Sequence, residues 1–195
     1  METRHAMETT ILKTGSLNER RTEVIASIGL LIGGSLGMAG SFVPSISLRG
    51  LAWGIDGAGL ILASVLLTVY YFRKGYDIIA AGFLMFAIGE ALILSCSALN
   101  LDENVSSFGA GTSLWSASLL LVSIQKIFPI LTRCLGLIAA VLFAIVSMLI
   151  FTGHPLNALS DPLPFYAYPF FAATIFGWAW TLLKTKPSSQ NRIVN

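Results

Sequence analysis

Six long apolar runs decide what this chain can fold into. They cover approximately residues 24–43, 51–72, 78–98, 107–125, 134–152 and 164–183. A helix needs about 20 residues to cross the hydrocarbon core of a bilayer, and each run is close to that length. The runs are continuous, whereas the strands of a membrane barrel alternate apolar and polar residues. The sequence therefore predicts an all-α fold, a polytopic membrane protein with a bundle of six transmembrane helices.

The composition and the short connections indicate that this bundle takes up nearly the whole chain. Apolar residues make up 55% of the 195 residues and charged residues only 11%, which is outside the range of ordinary soluble domains. The connections between the runs are about 5 to 11 residues long, too short for a separately folded unit. We predict a single six-helix transmembrane domain over residues 1–195, with short polar tails at residues 1–22 and 185–195.

The positive charges are unevenly distributed between the two sides of the predicted bundle. All Lys and Arg residues except Arg49 precede the first run, follow the last run or lie in the connections after the second and fourth runs. They are Arg4, Lys13, Arg20, Arg21, Arg73, Lys74, Lys126, Arg133, Lys184, Lys186 and Arg192. The positive-inside rule then places both termini in the cytoplasm of a multi-pass cell-membrane protein, which in a bacterium is an inner-membrane protein. We expect the lipid bilayer, and no nucleic acid, as a partner of these basic residues.

Two carboxylic acids interrupt the apolar runs. Glu90 lies in the middle of the third run, in GFLMFAIGEALILS, and Asp56 lies in the second run. A charge at the bilayer centre costs about 2.5 to 3.5 kcal/mol on insertion scales, so such groups usually face the interior of a bundle or a wet cavity. Asp56 also shares a helical stripe with the small residues Ala52, Gly59 and Ala63, and small stripes usually face another helix. Both acidic side chains are therefore expected to point into the bundle.

The depths of the two acids predict that they share one pocket. At about 1.5 Å per residue, Glu90 lies roughly 12 Å below the end of its run and Asp56 roughly 7.5 Å below the start of its own. Both depths fall in the half of the bundle that faces away from the cytoplasm, where Gly and Ser residues of several runs also collect. We predict an outward-facing polar pocket around Glu90 and Asp56. The other candidate binding residues of this pocket are Arg49, Ser97, Ser113, His154 and Tyr168.

A purely structural role for the acids is the alternative. A protonated Glu90 could hydrogen-bond a neighbouring helix and hold the two helices together, an interaction that contributes about 0.6 kcal/mol on average. The order of the helices around the bundle decides which groups surround the acid, and the sequence does not fix that order. Both roles stay open on the sequence alone.

A glycine ladder marks one face of the first run. Gly29, Gly33 and Gly37 recur every four residues, so they line one side of a helix and let another helix approach closely. We expect a tight contact between helices of the bundle. A weaker alternative is that a second copy of the chain, or a partner membrane protein, binds this glycine face.

Several aromatic and proline residues are interpreted as structural. Tyr70, Tyr71, Trp178 and Trp180 lie near the cytoplasmic ends of their runs and are typical of the aromatic belt at a membrane interface. Pro169 lies inside the sixth run and is expected to bend that helix or to free a backbone carbonyl.

Patterns typical of catalysis or metal binding are missing from the sequence. The histidines are His5 and His154, and neither CxxC nor HExxH occurs. No nucleophile and base stand at a spacing that would bring them together. We therefore expect no catalytic residue, no metal and no cofactor, and a protein that is not an enzyme.

Two classes of function fit these features. The first is binding or transport of a small solute through the outward-facing pocket, linked to a proton or another cation. The second is a structural or accessory subunit of a membrane complex, with the glycine face in contact with a partner helix. An intramembrane enzyme is a distant third class. The sequence does not identify the ligand.

Overall fold

The computed structural model describes the backbone of residues 2–97 and 104–184 and the side chains of residues 17–95 and 104–184. Within these residues it contains helices and no strand. The helices are α1 (Glu2–Gly40), α2 (Ile46–Arg73), α3 (Asp77–Ser97), α4 (Val105–Ser123), α5 (Ile130–Phe151) and α6 (Tyr168–Lys184). A short 3₁₀ helix, Phe165–Ala167, leads into α6. The prediction of an all-α fold with six helices is confirmed for the described chain.

Five of the six helices are long and apolar enough to cross a membrane. They are α1 to α5, and the apolar part of α1 is Leu17–Gly40. The sixth helix has 17 residues and is shorter than this length. Large apolar side chains are exposed along the outside of the helices, for example Leu62, which is 54% exposed, and Val141, which is 60% exposed. Such side chains suit contact with lipid acyl chains.

Three of the differences between the observed helix boundaries and the predicted runs have a clear physical cause. α1 begins at Glu2, well before the apolar run, because polar residues can continue a helix beyond the hydrocarbon core. α2 begins at Ile46, and the hydroxyl group of Ser45 caps it by accepting the Leu48 N–H at 3.5 Å. Pro169 is the second residue of α6. The expected bend is therefore corrected: a proline in the first turn of a helix lacks an N–H that would have no intrahelical partner there.

The six helices form a closed ring in chain order. Each helix packs against the next one along the chain, and α6 packs against α1. Neighbours run antiparallel, as shown by Gly29 of α1 next to Gly59 of α2 and Gly37 next to Asp56. The start of α1 and the end of α6 therefore lie at one end of the ring, which we call the terminal end. The connections α1–α2, α3–α4 and α5–α6 lie at the other, or distal, end.

Aromatic side chains fill the middle of the ring. This aromatic column consists of Tyr71, Phe83, Phe86, Trp115, Phe128, Phe143, Phe171 and Trp178. All of them are buried, and neighbouring ring centroids are 4.7 to 6.3 Å apart. Such ring pairs stabilise a structure by about 0.5 to 1.5 kcal/mol beyond the area they bury. The column comes from α2 to α6 and from the α4–α5 connection, so it joins most of the ring.

The column corrects the assignment of the aromatic belt. Trp178 is 1% exposed, and Tyr70 and Tyr71 are also buried, so these three side chains belong to the interior. Trp180 is 60% exposed and remains on the outside. Two residues along a helix are about 200° apart around its axis, so Trp178 and Trp180 point in nearly opposite directions. The position of a residue along its run therefore does not show whether its side chain is interior. The direction of the side chain around the helix axis determines this.

The glycine ladder of α1 lies against α2 of the same chain. A Cβ atom on Gly29 would be 2.7 Å from the carbonyl oxygen of Gly59, and one on Gly33 would be 2.4 Å from the Leu60 side chain. The expected tight contact between helices is therefore present, and it is intramolecular. Binding of a second chain or a partner protein through α1 stays a prediction.

Substitution of Gly29 by Ala should destabilise the fold. The new methyl group would meet backbone of α2, which cannot move as a flexible side chain does, so the two helices must separate. We expect a lower melting temperature in detergent, measured by circular dichroism. Gly54→Ala is the matched control, since a Cβ on this α2 residue meets nothing within 4 Å. It should leave stability unchanged or slightly raised, because Ala favours helix over Gly by roughly 0.5–1 kcal/mol. Equal melting temperatures for both variants would contradict the packing described here.

Candidate functional site

A cavity lies inside the ring at its distal end. It has a volume of about 70 Å³ and is bounded by α1, α2, α3, α4, α6 and the α5–α6 connection. Its floor includes Trp115 and Phe171, which are also members of the aromatic column. About 10 to 15 Å³ of such space holds one water molecule, so the cavity has room for several.

The two buried acids both line this cavity. Glu90 is 2% exposed and Asp56 is 9% exposed. Glu90 Oε2 and Asp56 Oδ1 are buried and have no hydrogen-bond partner among the described residues. The two carboxyl groups are also close enough to interact electrostatically. The arrangement brings two hydrogen-bond acceptors with free capacity to one small space.

The cavity lining that the structure describes contains no Lys, Arg or His. The ion pairs found within residues 17–95 and 104–184 join Arg20 to Glu23 and Lys74 to Glu19. Neither pair involves a cavity acid. The negative charge that Asp56 and Glu90 can carry is therefore not balanced by a cationic side chain of the described chain.

Glycine residues of α1 make room for the acid on α2. A Cβ atom on Gly37 would lie 2.7 Å from Asp56 Oδ2 and 3.1 Å from Oδ1. One on Gly33 would lie 3.2 Å from Oδ1. The glycine ladder thus allows the close approach of the two helices and also leaves the space that the Asp56 carboxyl group occupies.

Polar groups of three aromatic residues surround the acids. The Tyr168 hydroxyl donates to the carbonyl oxygen of Ala158 at 2.9 Å, which ties α6 to the α5–α6 connection. Trp53 Nε1–H donates to the carbonyl oxygen of Gly37 at 3.3 Å. Trp115 Nε1–H is buried and lies close enough to the Glu90 carboxyl group to interact with it, although the two groups do not meet the geometry of a full hydrogen bond. The cavity wall thus places one indole donor beside the acceptors.

Three of the other predicted site residues lie outside the cavity lining. Tyr168 lines the cavity together with Asp56 and Glu90, whereas Arg49, Ser113 and His154 are not among its lining residues. The Ser113 hydroxyl donates to the Ala110 carbonyl of its own helix at 2.7 Å. The guanidinium of Arg49 lies 5.6 Å from the centre of the Trp53 ring, and His154 is exposed in the α5–α6 connection. The Ser97 side chain lies outside the described residues.

Sequence reasoning missed the aromatic part of the lining. Trp53, Phe108, Trp115 and Phe171 line the cavity. A signal existed for Trp53, because it precedes Asp56 by three residues and so lies on the same face of α2. No comparable signal marked the other three, since their place in the site depends on how the helices are arranged around the ring.

A second buried polar cluster lies at the terminal end and was also missed. Glu23 of α1 is 5% exposed and accepts a hydrogen bond from the Tyr70 hydroxyl of α2. Lys74 Nζ donates to the Tyr70 oxygen at 2.7 Å. Arg20 donates to Glu23 at 3.2 Å and to the carbonyl oxygens of Leu182 and Leu183 at 3.2 and 3.1 Å. This terminal cluster joins α1, α2 and the end of α6.

Substitution of Tyr70 by Phe should destabilise the protein by about 1–3 kcal/mol. The change removes the hydroxyl between Glu23 and Lys74 and leaves a buried carboxyl group with fewer partners. Tyr76→Phe is the control. Tyr76 is 47% exposed, so this change removes a hydroxyl group from a side chain that faces solvent. Unfolding in denaturant or by heat, followed in detergent, measures both variants. Equal unfolding of the two variants would show that the terminal cluster does not stabilise the fold.

Comparison with known proteins adds no relative to this picture. The chain matches no protein-family model, no curated protein and no solved structure. The distal cavity, with its two carboxyl groups and aromatic walls, is therefore the feature of this molecule from which a function is to be argued.

Proposed function

We propose that the chain is a six-helix integral membrane protein that binds a small solute in the distal cavity through Asp56 and Glu90. The observation that carries this proposal is the pair of buried carboxyl oxygens, Asp56 Oδ1 and Glu90 Oε2, which line one cavity without a hydrogen-bond partner in the described chain. A ligand with hydrogen-bond donors would supply the missing partners.

The ring supports a transmembrane role for all six helices. α6 packs between α5 and α1, so it lies side by side with helices that are long enough to span a bilayer. With the 3₁₀ turn in front of it, the helical segment extends from Phe165 to Lys184. That is about the length a membrane helix needs.

The charge distribution supports a cavity that faces away from the cytoplasm. The antiparallel ring brings Arg20, Arg73, Lys126, Arg133 and Lys184 to the terminal end. Arg49 lies at the distal end, just inside the start of α2. By the positive-inside rule the terminal end is cytoplasmic, and the distal cavity then opens toward the opposite side.

The contacts of Glu90 favour ligand binding over a role as structural glue. An acid that holds two helices together must hydrogen-bond a group on the neighbouring helix. The Trp115 indole of α4 is close enough to the Glu90 carboxyl group to interact with it, but Glu90 Oε2 makes no hydrogen bond among the described residues, and burial of such an unpaired oxygen costs about 1–3 kcal/mol. Groups held at such a cost are common at functional sites, where stability is exchanged for activity.

A comparison of Glu90→Gln with Glu23→Gln tests this distinction. Both acids are buried, but Glu23 has hydrogen-bond partners at Tyr70 and Arg20. We expect Glu23→Gln to lower the free energy of unfolding by about 1–3 kcal/mol. Glu90→Gln should leave stability unchanged or raise it, because the change removes a buried ionisable group that lacks a paired cation. Melting curves in detergent measure both. A loss at Glu90 as large as that at Glu23 would support the structural role.

Cysteine accessibility tests the position and the side of the cavity. Ala172 lines the cavity although it is only 6% exposed, and Ala139 on α5 is fully buried elsewhere. In a background with Cys96 and Cys134 replaced by Ser, we expect Ala172→Cys to be labelled by Ag⁺ added to intact cells, because this thiol-reactive ion is small enough for the cavity and crosses lipid poorly. Ala139→Cys should remain unlabelled. Lys126→Cys, at the terminal end, should react only after the membrane is permeabilised.

The same labelling experiment has two outcomes that oppose the proposal. Absence of labelling at Ala172→Cys from either side would show that solutes do not reach the cavity. Labelling of Ala172→Cys only after permeabilisation, with Lys126→Cys labelled in intact cells, would reverse the orientation.

A further inference from the structure

The geometry of the distal cavity points to a small primary alkylammonium ion as its ligand. This inference rests on the proposed function, because it names the class of solute that the cavity binds. It depends on four properties of the site: its charge, its hydrogen-bonding groups, the chemistry of its walls and its size.

The charge of the site selects a cation. Asp56 and Glu90 are both buried at the cavity, and no basic side chain is among the lining residues that the structure describes. A carboxylate taken out of water is stabilised when an opposite charge accompanies it. An anion would bring further negative charge to two buried acids that have no compensating cation in the described lining, so it would gain no stabilisation from them.

The hydrogen-bonding groups select an ion that carries N–H donors. Asp56 Oδ1 and Glu90 Oε2 are acceptors without partners in the described chain. A primary ammonium group has three donors and no acceptor, which suits a site with two acceptors that lack partners. Hydrogen bonds between charged groups are also stronger than neutral ones. A quaternary ammonium ion has no N–H group and would leave both oxygens unpaired.

The walls of the cavity select an organic ion over a metal ion. Hard metal cations prefer about six or more oxygen ligands. Within the described residues there is no group of three or more His, Cys, Asp or Glu side chains that could hold a metal. The cavity instead presents the rings of Trp53, Trp115 and Phe171. Such rings attract organic cations through their faces and accept alkyl groups.

The size of the site limits the ion to a few atoms. A cavity of about 70 Å³ holds roughly five water-sized spheres. An alkylammonium ion with about five non-hydrogen atoms matches this volume. Longer amines would have to displace lining residues, among them Asn157 and Ala158 of the α5–α6 connection.

The test compares two molecules of the same shape that differ in charge. tert-Butylammonium and tert-butanol each have five non-hydrogen atoms, and the first carries an ammonium group where the second carries a hydroxyl. Isothermal titration calorimetry on the full-length protein in lipid nanodiscs measures both. We expect tert-butylammonium to bind at least tenfold more tightly than tert-butanol.

Two pairs of variants locate the binding. Asp56→Asn and Glu90→Gln should each weaken tert-butylammonium binding at least tenfold, because each removes one of the two carboxylates. Asp161→Asn and Glu19→Gln are matched controls, since both acids are exposed and neither lines the cavity. Binding by the controls should equal that of the unmodified chain. Equal weakening by all four variants would place the ion elsewhere on the surface and overturn the inference.

The remaining outcomes separate this inference from the proposed function. If tert-butanol or the anion pivalate binds as tightly as tert-butylammonium, the cavity is a binding site but the ligand class is wrong. If none of the three binds while Ala172→Cys is labelled, the alkylammonium inference fails and an accessible cavity remains. If Ala172→Cys is not labelled from either side, the proposed function itself fails.

Discussion

The close approach of α1 to α2 is the contact on which both ends of the bundle depend. The glycine ladder lets the two helices meet so closely that a Cβ on Gly29 would lie 2.7 Å from a backbone oxygen of α2. At the distal end the same approach makes Gly37 the wall beside the Asp56 carboxyl group. At the terminal end it brings Glu23 within hydrogen-bonding distance of the Tyr70 hydroxyl. The stripe of small residues therefore positions two acids. One is Asp56, which has an oxygen without a partner in the described chain, and the other is Glu23, which is well paired.

The closed ring explains why a cavity forms at the distal end of the bundle. Six helices packed around one axis leave a space at the centre of the ring. Small side chains do not fill this space, so large residues must enter it. The aromatic column fills that space from the terminal end up to Trp115 and Phe171. Beyond this level α1 contributes Gly33, Gly34 and Gly37, which have no side chains to fill the ring, and the cavity remains. Asp56 and Glu90 lie at the level where large side chains no longer fill the ring.

The sequence predicted the helices well because the length and continuity of apolar runs are local properties. It also placed Asp56 and Glu90 at similar depth, and both line the same cavity. Residues whose roles depend on direction around a helix were less predictable. Trp178 is interior rather than interfacial, and Ser113 bonds its own helix backbone. The hydrogen bonds of Arg20 with the end of α6 could not be foreseen, because they depend on α6 packing against α1, a contact between the two most distant helices in the chain.

Solute binding and solute transport make different demands on this ring. Binding needs only the distal cavity. Transport also needs a path to the terminal end, and two barriers lie in series along that path: the aromatic column and the cluster of Glu23, Tyr70, Lys74 and Arg20. Each ring pair of the column contributes about 0.5–1.5 kcal/mol, so separating several pairs at once requires an equally large gain elsewhere. An ion that binds Asp56 and Glu90 changes the charge directly above the column, and such a change is the kind of differential interaction that can bias a second arrangement of the helices.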